Sequence, residues 1–166
     1  MSDADPPVPA QPVSVTVNGR VFRRSVPPRQ TLADFLRDEL GLTGTHLGCE
    51  HGVCGACSVF IEDRSARACL TLAVQVDGLS VRTVEGLDAF SETPRLRECF
   101  SENGGLQCGF CTPGFLVSSL ELLRDTDAEK PLTEEVVREA LSGNICRCTG
   151  YQGIVQAVLD AATPPD

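Results

Sequence analysis

The spacing of nine cysteines constrains this chain of 166 residues more than any other feature of its sequence. Eight of them fall into two groups of four, one in the first half of the chain and one in the second. The first group is Cys49, Cys54, Cys57 and Cys69, and the second is Cys108, Cys111, Cys146 and Cys148. Because four thiolates are the usual ligands of structural zinc and of iron-sulfur clusters, the spacing predicts two four-thiolate metal sites.

The cellular compartment decides whether cysteines form disulfides or bind metal. Residues 1–11 are polar and proline-rich and lack the apolar core of a secretory signal. The pair Arg23-Arg24 is followed by Ser25, Val26 and Pro27 rather than by an apolar run, which argues against a twin-arginine leader. No stretch approaches 18 apolar residues. We therefore expect a cytoplasmic protein without a membrane span, whose reduced thiols bind metal.

The charge of the chain excludes one class of partner. The formal net charge is -9 at pH 7, and the few cations are not concentrated in one long basic run. An acidic protein repels the phosphate backbone, so nucleic acid is not an expected partner. Hydrophobic residues make up 42% and charged residues 22% of the sequence, as in an ordinary folded domain.

The composition of residues 1–11 predicts a disordered arm, because Pro, Ala, Asp and Ser bury too little surface to offset the entropy of ordering. The following stretch alternates valines with polar residues up to an Asn18-Gly19 turn, which predicts a β-hairpin. A helix capped by Thr31 comes next, and further strands are predicted over residues 58–62 and 80–84. Residues 12–85 thus predict a small mixed sheet with one helix.

From residue 86 the apolar residues recur with helical periodicity. Helices are predicted over about residues 94–102, from a cap at Thr112, from Thr133 to Gly143, and over about 152–162. A polar connection over residues 125–131 separates the second helix from the third. Residues 86–162 thus predict a bundle of four short helices. The fold class is α+β, with a sheet domain followed by a helical domain.

The first cysteine group has the plant-type spacing of a [2Fe-2S] centre, Cys-x4-Cys-x2-Cys followed by Cys69. Glycines at five positions between residues 41 and 57 allow the backbone to approach a cluster and to point amide hydrogens at its sulfurs. A zinc site is the alternative, although zinc ribbons pair two Cys-x2-Cys dyads and this group contains one. Cys49-x-His51 matches half of a Rieske motif, but the second half is missing, so His51 and His46 are interpreted as loop residues.

The second group is Cys-x2-Cys, 34 residues, and Cys-x-Cys. One dyad precedes the helix that begins near Thr112 and the other follows the third helix, so antiparallel packing would bring them together. A helix N-terminus also favours the negative charge of a thiolate cluster. A thioredoxin-type redox pair at Cys108 and Cys111 is the alternative, but it requires a βαβ context. Cys99 lies on an apolar helix face and is predicted to be a buried small hydrophobe.

Three motifs resemble a known family: GCEHGVCGAC at residues 48–57, QCGFCTPG at 107–114 and NICRCTGY at 144–151. They are similar to the small iron-sulfur subunit of the molybdenum hydroxylases, a family that includes xanthine dehydrogenases, aldehyde oxidoreductases and aerobic carbon monoxide dehydrogenases. The resemblance covers about residues 12–162 and includes all eight grouped cysteines. It implies a β-grasp ferredoxin-like domain followed by a helical [2Fe-2S] domain.

The resemblance also implies partners. A large subunit would bind molybdenum with a pterin dinucleotide and oxidise an aldehyde, an N-heterocycle or carbon monoxide, and a medium subunit would hold FAD. This chain would relay single electrons between them, within a dimer of heterotrimers. Gln107 and Cys148 would lie near the pterin, and the first cluster nearer the flavin. Two alternatives remain: a free two-cluster ferredoxin, and a binding protein whose fold is stabilised by zinc.

Overall fold

The computed structural model describes residues 8–126 and 132–163. Residues 1–7 of the predicted arm, and residues 127–131 of the predicted polar connection, lie outside the described residues. No helix within the described ranges is long and apolar enough to cross a membrane.

A β-hairpin opens the described part of the chain. Strands β1 (Gln11–Val17) and β2 (Arg20–Val26) are antiparallel, with Val17 paired to Arg20. Asn18 and Gly19 have φ angles of 50° and 80°, the left-handed values that a two-residue hairpin turn requires. The turn predicted from the sequence is therefore confirmed.

The helix that follows is capped as the sequence predicts. The Thr31 hydroxyl accepts a hydrogen bond from the amide of Asp34 at 3.1 Å, which satisfies one of the free donors at the helix start. Helix α1 (Leu32–Asp34) continues as a wider π-helical turn over Phe35–Glu39. Its apolar face is fully buried against the sheet, through Leu32, Phe35 and Leu36.

Three further strands complete a five-stranded sheet. They are β3 (Ser58–Ile61), β4 (Arg64–Arg67) and β5 (Ser80–Arg82), and the strand order is β2-β1-β5-β3-β4. Only the β1–β5 pair is parallel. The sequence did not predict β4, because its residues do not alternate between apolar and polar. The predicted last strand is shorter than expected, since a 3₁₀ turn begins at Val84.

Four helices make up the rest of the described chain: α2 (Thr93–Glu102), α3 (Thr112–Asp125), α4 (Glu134–Ala140) and α5 (Gln152–Ala162). They surround an apolar core that includes Phe100, Phe115 and Ile154, all essentially buried. One local prediction was wrong: Thr112 is the first helical residue rather than the cap, which is Cys111.

The two cores meet at strand β3. Val59 faces the core between the sheet and α1, whereas its neighbour Phe60 belongs to the core of the helices. Successive residues of a strand point to opposite faces, so one strand serves both cores. Glu121 on α3 accepts hydrogen bonds from the amide and the hydroxyl of Ser65 on β4. The helical unit therefore covers the back of the β3–β4 edge.

Candidate metal centres

The loop between α1 and β3 bends back over the sulfur of Cys49. Its positive φ angles are 55°, 84° and 75°, at Glu50, Gly52 and Gly55. The amide of Cys54 donates a hydrogen bond to the Cys49 sulfur at 3.4 Å. Backbone hydrogen bonds from His51, and then from Cys54, lower the pKa of Cys49 to about 6. The glycine-rich loop therefore stabilises a thiolate, which is the form that binds metal.

Cys69 reaches this loop by way of the β3–β4 hairpin. Cys57 directly precedes β3, Cys69 follows β4, and Ser58 is paired with Arg67, so both cysteines lie at the same end of the hairpin. They are 2% and 8% exposed. Burial, with contributions from neighbouring Cys69, raises the pKa of Cys57 to about 11. A bound cation would stabilise the thiolates that burial disfavours here.

In the second group, Cys108 and Cys111 lie on the turn that leads into α3. Gly109 between them has a φ angle of 80°, and Cys111 is the residue immediately before the helix. The free amides of a helix N-terminus and the helix dipole favour negative charge at this position. Cys111 is 9% exposed, whereas Cys108 is open to solvent.

Cys146 and Cys148 lie in the loop that joins α4 to α5. The amide and the hydroxyl of Thr149 donate to the sulfur of Cys146 at 3.4 and 3.2 Å. Burial opposes ionisation, but the hydrogen bonds from Thr149 and the backbone of Cys148 prevail and lower the pKa of Cys146. The amide of Cys146 itself donates to the hydroxyl of Tyr151 at 3.0 Å. This loop is thus also organised to stabilise a thiolate.

The structure brings the two dyads of the second group together. The sulfurs of Cys108 and Cys148 are 3.5 Å apart. Burial, followed by the nearby thiol of Cys146, raises the pKa of Cys111 to about 12. Gln107 lies beside the pair, since its side-chain amide donates to the carbonyl oxygen of Cys148 at 3.2 Å. Dyads that are 34 residues apart in sequence therefore share one place in the fold.

A cavity of about 200 Å³ lies between the two groups. It is lined by Gly48, Cys54, Ala56, Cys108, Phe110, Cys111, Ile145, Cys146, Arg147 and Cys148. Within the described ranges, no three Cys, His, Asp or Glu residues form a site for a single metal ion. A [2Fe-2S] cluster takes its four thiolates as two pairs, one on each iron, and the sulfur-rich lining of this cavity suits such a group.

One contact between the two cysteine-bearing loops was missed by the sequence interpretation. His46, interpreted as an ordinary loop residue, stacks on the ring of Phe110 with centroids 4.9 Å apart. Its Nδ1 also lies 2.7 Å from the carbonyl oxygen of Phe110. The loop of the first group is thereby attached to the Cys-x2-Cys turn of the second. A single histidine in a glycine-rich loop carries no sequence signal for such a contact.

Cys99 stands apart from both groups. It is fully buried on α2, within the core of the helices. Burial raises the pKa of this thiol, and its carbonyl oxygen serves as an ordinary acceptor for Asn103. This environment matches the prediction of a small buried hydrophobe.

Comparisons with known proteins identify two domains in the chain. A family profile described as a 2Fe-2S iron-sulfur cluster binding domain matches residues 15–78, and one described as a [2Fe-2S] binding domain matches residues 83–159. The mixed structure of sheet and helices therefore contains a ferredoxin-like 2Fe-2S domain and a second 2Fe-2S domain. Each matched range contains one of the cysteine groups.

The relatives of the chain are subunits of oxidoreductases. It is 56% identical over 149 residues to the nicotine 6-hydroxylase small subunit of Paenarthrobacter nicotinovorans, covering 90% of this chain and 88% of that protein. It is 53% identical over 147 residues to the caffeine dehydrogenase subunit gamma of Pseudomonas sp. (strain CBB1), covering 88% and 87%.

A solved structure shows the same fold. In the crystal structure of quinoline 2-oxidoreductase from Pseudomonas putida 86, a chain that is 45% identical superposes with a TM-score of 0.83. The match covers 93% of this chain and 95% of that chain. Together with the two domain matches, this similarity shows that the chain belongs to the family of iron-sulfur subunits of molybdenum hydroxylases, whose members include xanthine dehydrogenases and aldehyde oxidoreductases.

Proposed function

We propose that each cysteine group holds one [2Fe-2S] cluster. The ligands of the first are Cys49, Cys54, Cys57 and Cys69, and those of the second are Cys108, Cys111, Cys146 and Cys148. The arrangement of each group supports this assignment, because a glycine-containing turn presents amides to a sulfur and two of the four thiols are buried. When bound, such a cluster accepts and releases one electron at a time.

The function that follows is electron transfer within a molybdenum hydroxylase. The contact between the two groups carries this proposal: the amide of Ile145 donates to the carbonyl oxygen of Cys54 at 2.9 Å. Ile145 is the neighbour of Cys146, so one hydrogen bond joins the backbone of a first-group ligand to the backbone next to a second-group ligand. The chain thereby holds both clusters close together as a relay.

We propose a β-grasp ferredoxin-like unit over residues 12–85 and a four-helix-bundle unit over residues 86–162. The matched ranges and the sheet and helix bounds support a division near residue 83. The units share strand β3, so the relay is one rigid arrangement rather than two tethered domains.

The proposed partners are a large subunit with a molybdenum-pterin dinucleotide and a medium subunit with FAD, assembled as a dimer of heterotrimers. Around the second group, Leu106, Phe110 and Ile145 are 43%, 47% and 49% exposed. Exposed apolar residues beside a functional site are typical of protein interfaces. Docking there would place Gln107 and Cys148 against the pterin.

The first group faces a different apolar surface, which we assign to the flavin subunit. Val53 directly precedes Cys54 and Leu70 directly follows Cys69, and they are 56% and 61% exposed. With exposed apolar residues beside each group, we propose that one partner docks at each cluster.

The names of the relatives suggest the substrate of the complex. Nicotine, caffeine and quinoline, after which they are named, are all nitrogen heterocycles. We therefore favour an N-heterocycle over an aldehyde or carbon monoxide as the substrate that the large subunit oxidises. We also place the protein in the cytoplasm, because that compartment keeps thiols reduced and available as cluster ligands.

Iron and sulfide analysis with low-temperature EPR tests the proposal. The purified chain should contain about four irons and about four sulfides, and reduction with dithionite should give two distinguishable [2Fe-2S] signals. Colourless protein containing zinc would refute the relay. Native purification should also recover molybdenum and flavin subunits, and a chain that runs alone as a two-cluster monomer would refute the proposed assembly.

A further inference from the structure

The side chain of Asn144 lies at the junction between the two cysteine groups, two residues before Cys146. It is polar, yet Asn144 is only 3% exposed. Its Oδ1 accepts a hydrogen bond from the hydroxyl of Ser118 on α3 at 2.9 Å, and its Nδ2 donates to the carbonyl oxygen of Gly55 at 3.4 Å. A buried amide is costly unless it is hydrogen-bonded, so this position requires both partners.

The backbones around Asn144 are packed too closely for larger residues. A Cβ atom on Gly55 would lie 2.6 Å from the Asn144 Nδ2 and 2.6 Å from the carbonyl oxygen of Gly143. A Cβ atom on Gly114, at the start of α3, would lie 2.1 Å from the carbonyl oxygen of Gly55. The loop of the first group is thus inserted between α3 and the loop of the second group.

Asn144 directly precedes the backbone contact that joins the two groups. Its neighbour Ile145 donates its amide to the carbonyl oxygen of Cys54, and Gly55 follows Cys54 in the chain. Two consecutive carbonyls of one loop therefore accept from two consecutive residues of the other. Arg67 adds a solvent-exposed link at 2.7 Å to the carbonyl oxygen of Gly143, which is weaker because water competes for it.

We propose that Asn144 is a positioning residue that sets the separation of the two clusters and hence their electronic coupling. This inference rests on the proposed function. By holding the Gly55 carbonyl and α3 at once, the side chain aligns the Ile145 amide with the Cys54 carbonyl. Neither cluster depends on Asn144 as a ligand, so the clusters form without it but lose their fixed relative placement.

The test compares Asn144→Ala with Asn103→Ala in the full chain loaded with iron. The side-chain amide of Asn103 also makes two hydrogen bonds, to the Cys99 carbonyl and to Asp160 at 3.0 and 2.9 Å. Both lie inside the helical unit, away from the junction. The measurements are iron content, EPR spin coupling between the reduced clusters, and hydrogen exchange by mass spectrometry of a peptide that contains Ile145.

Asn144→Ala should keep the iron of both clusters but lose the wild-type splitting from spin coupling. Exchange at Ile145 should be faster by about fivefold, as expected for the loss of about one hydrogen bond. Asn103→Ala should leave both quantities unchanged. Wild-type coupling and exchange in Asn144→Ala would overturn the proposal, and so would loss of iron, which would make Asn144 a structural residue of the second site.

If Asn144→Ala does not fold, a variant that removes only one of the two hydrogen bonds of Asn144 still tests the proposal. Ser118→Ala removes the donor to Asn144 Oδ1 and leaves the Asn144 side chain in place. It should weaken the spin coupling and speed exchange at Ile145 in the same direction, and no change in either would overturn the proposal. Failure of the proposed function is distinct, since wild-type protein would then lack the two EPR signals while exchange at Ile145 would still report on the junction.

Discussion

The two cysteine groups hold their thiols by different means. In the first, Cys49, Cys54 and Cys57 lie on one loop, and a hairpin returns Cys69 to it after eleven intervening residues. In the second, 34 residues that include α3 and α4 separate Cys111 from Cys146. Local backbone conformation therefore builds most of the first site, whereas helix packing alone builds the second.

This difference predicts how much each cluster contributes to stability. The entropy of closing a loop grows with the logarithm of its length, so a cross-link across 34 residues should stabilise the fold by about 1 kcal/mol more than one across eleven. Because the four thiols of each group come together only on folding, the free energy of cluster binding stabilises the folded state.

Replacing one buried ligand in each group should have the largest effect, because each replacement removes one cluster. Cys57→Ser and Cys146→Ser should each halve the iron content and remove a different EPR signal, because serine is a poor ligand for iron-sulfur clusters. Cys146→Ser should lower the free energy of unfolding by about 1 kcal/mol more than Cys57→Ser. Iron analysis, EPR and denaturant unfolding measure these effects, and loss of the same signal in both variants would contradict the assignment of two sites.

Gly114→Ala should be strongly destabilising although it leaves all cysteines in place. The added methyl group would meet the backbone carbonyl of Gly55 at 2.1 Å, where no flexible side chain can give way. We expect a loss of about 3 kcal/mol and a fall in the thermal midpoint of roughly 6–12 °C. Gly143→Ala is the matched control, since its methyl group would meet only the end of the Arg67 side chain. Equal midpoints for the two variants would show that the junction is not closely packed.

Removing a single hydrogen bond to a sulfur should change one cluster and not the other. Thr149→Ala deletes the hydroxyl that donates to the Cys146 sulfur. Such a bond stabilises the more negative reduced state, so the potential of the second cluster should become about 40 mV more negative, the equivalent of about 1 kcal/mol for one electron. The first cluster should keep its potential. Thr149→Ser retains the hydroxyl and should behave as wild type in a redox titration, and a shift of both clusters would contradict the assignment.

The smallest effect is expected at the ninth cysteine. Cys99→Ala should leave the iron content and both EPR signals unchanged and cost about 1 kcal/mol through a small cavity in the helical core. Thermal unfolding with iron analysis checks this, and loss of iron would show that Cys99 is a ligand.

The comparison also explains which features could be predicted from the sequence. The Asn18-Gly19 turn and the Thr31 cap were predicted correctly, because each depends on residues a few positions apart. Strand β4 was missed because its pairing with β3 is made by backbone groups and leaves no apolar alternation. Thr112 was predicted to be the cap of the second helix, but Cys111 occupies that position.

In the candidate site, too, contacts between distant segments could not be predicted from the sequence. All eight cysteines were grouped from their spacing, and the two dyads of the second group were expected to meet. The contacts of His46 with Phe110 and of Asn144 with Gly55 were not predicted. Each joins segments far apart in sequence, and neither residue type signals such a partner.

From the sequence it was possible to predict the grouping of the cysteines, the Asn18-Gly19 turn and the Thr31 cap, since these follow from spacing, φ preferences and capping within a few residues. Only the folded structure showed that the β3–β4 hairpin returns Cys69 beside Cys57 and that Asn144 and Ile145 join the groups. The physical reason is that contacts between distant residues must overcome loop-closure entropy. Only the simultaneous packing of many side chains decides which of them form.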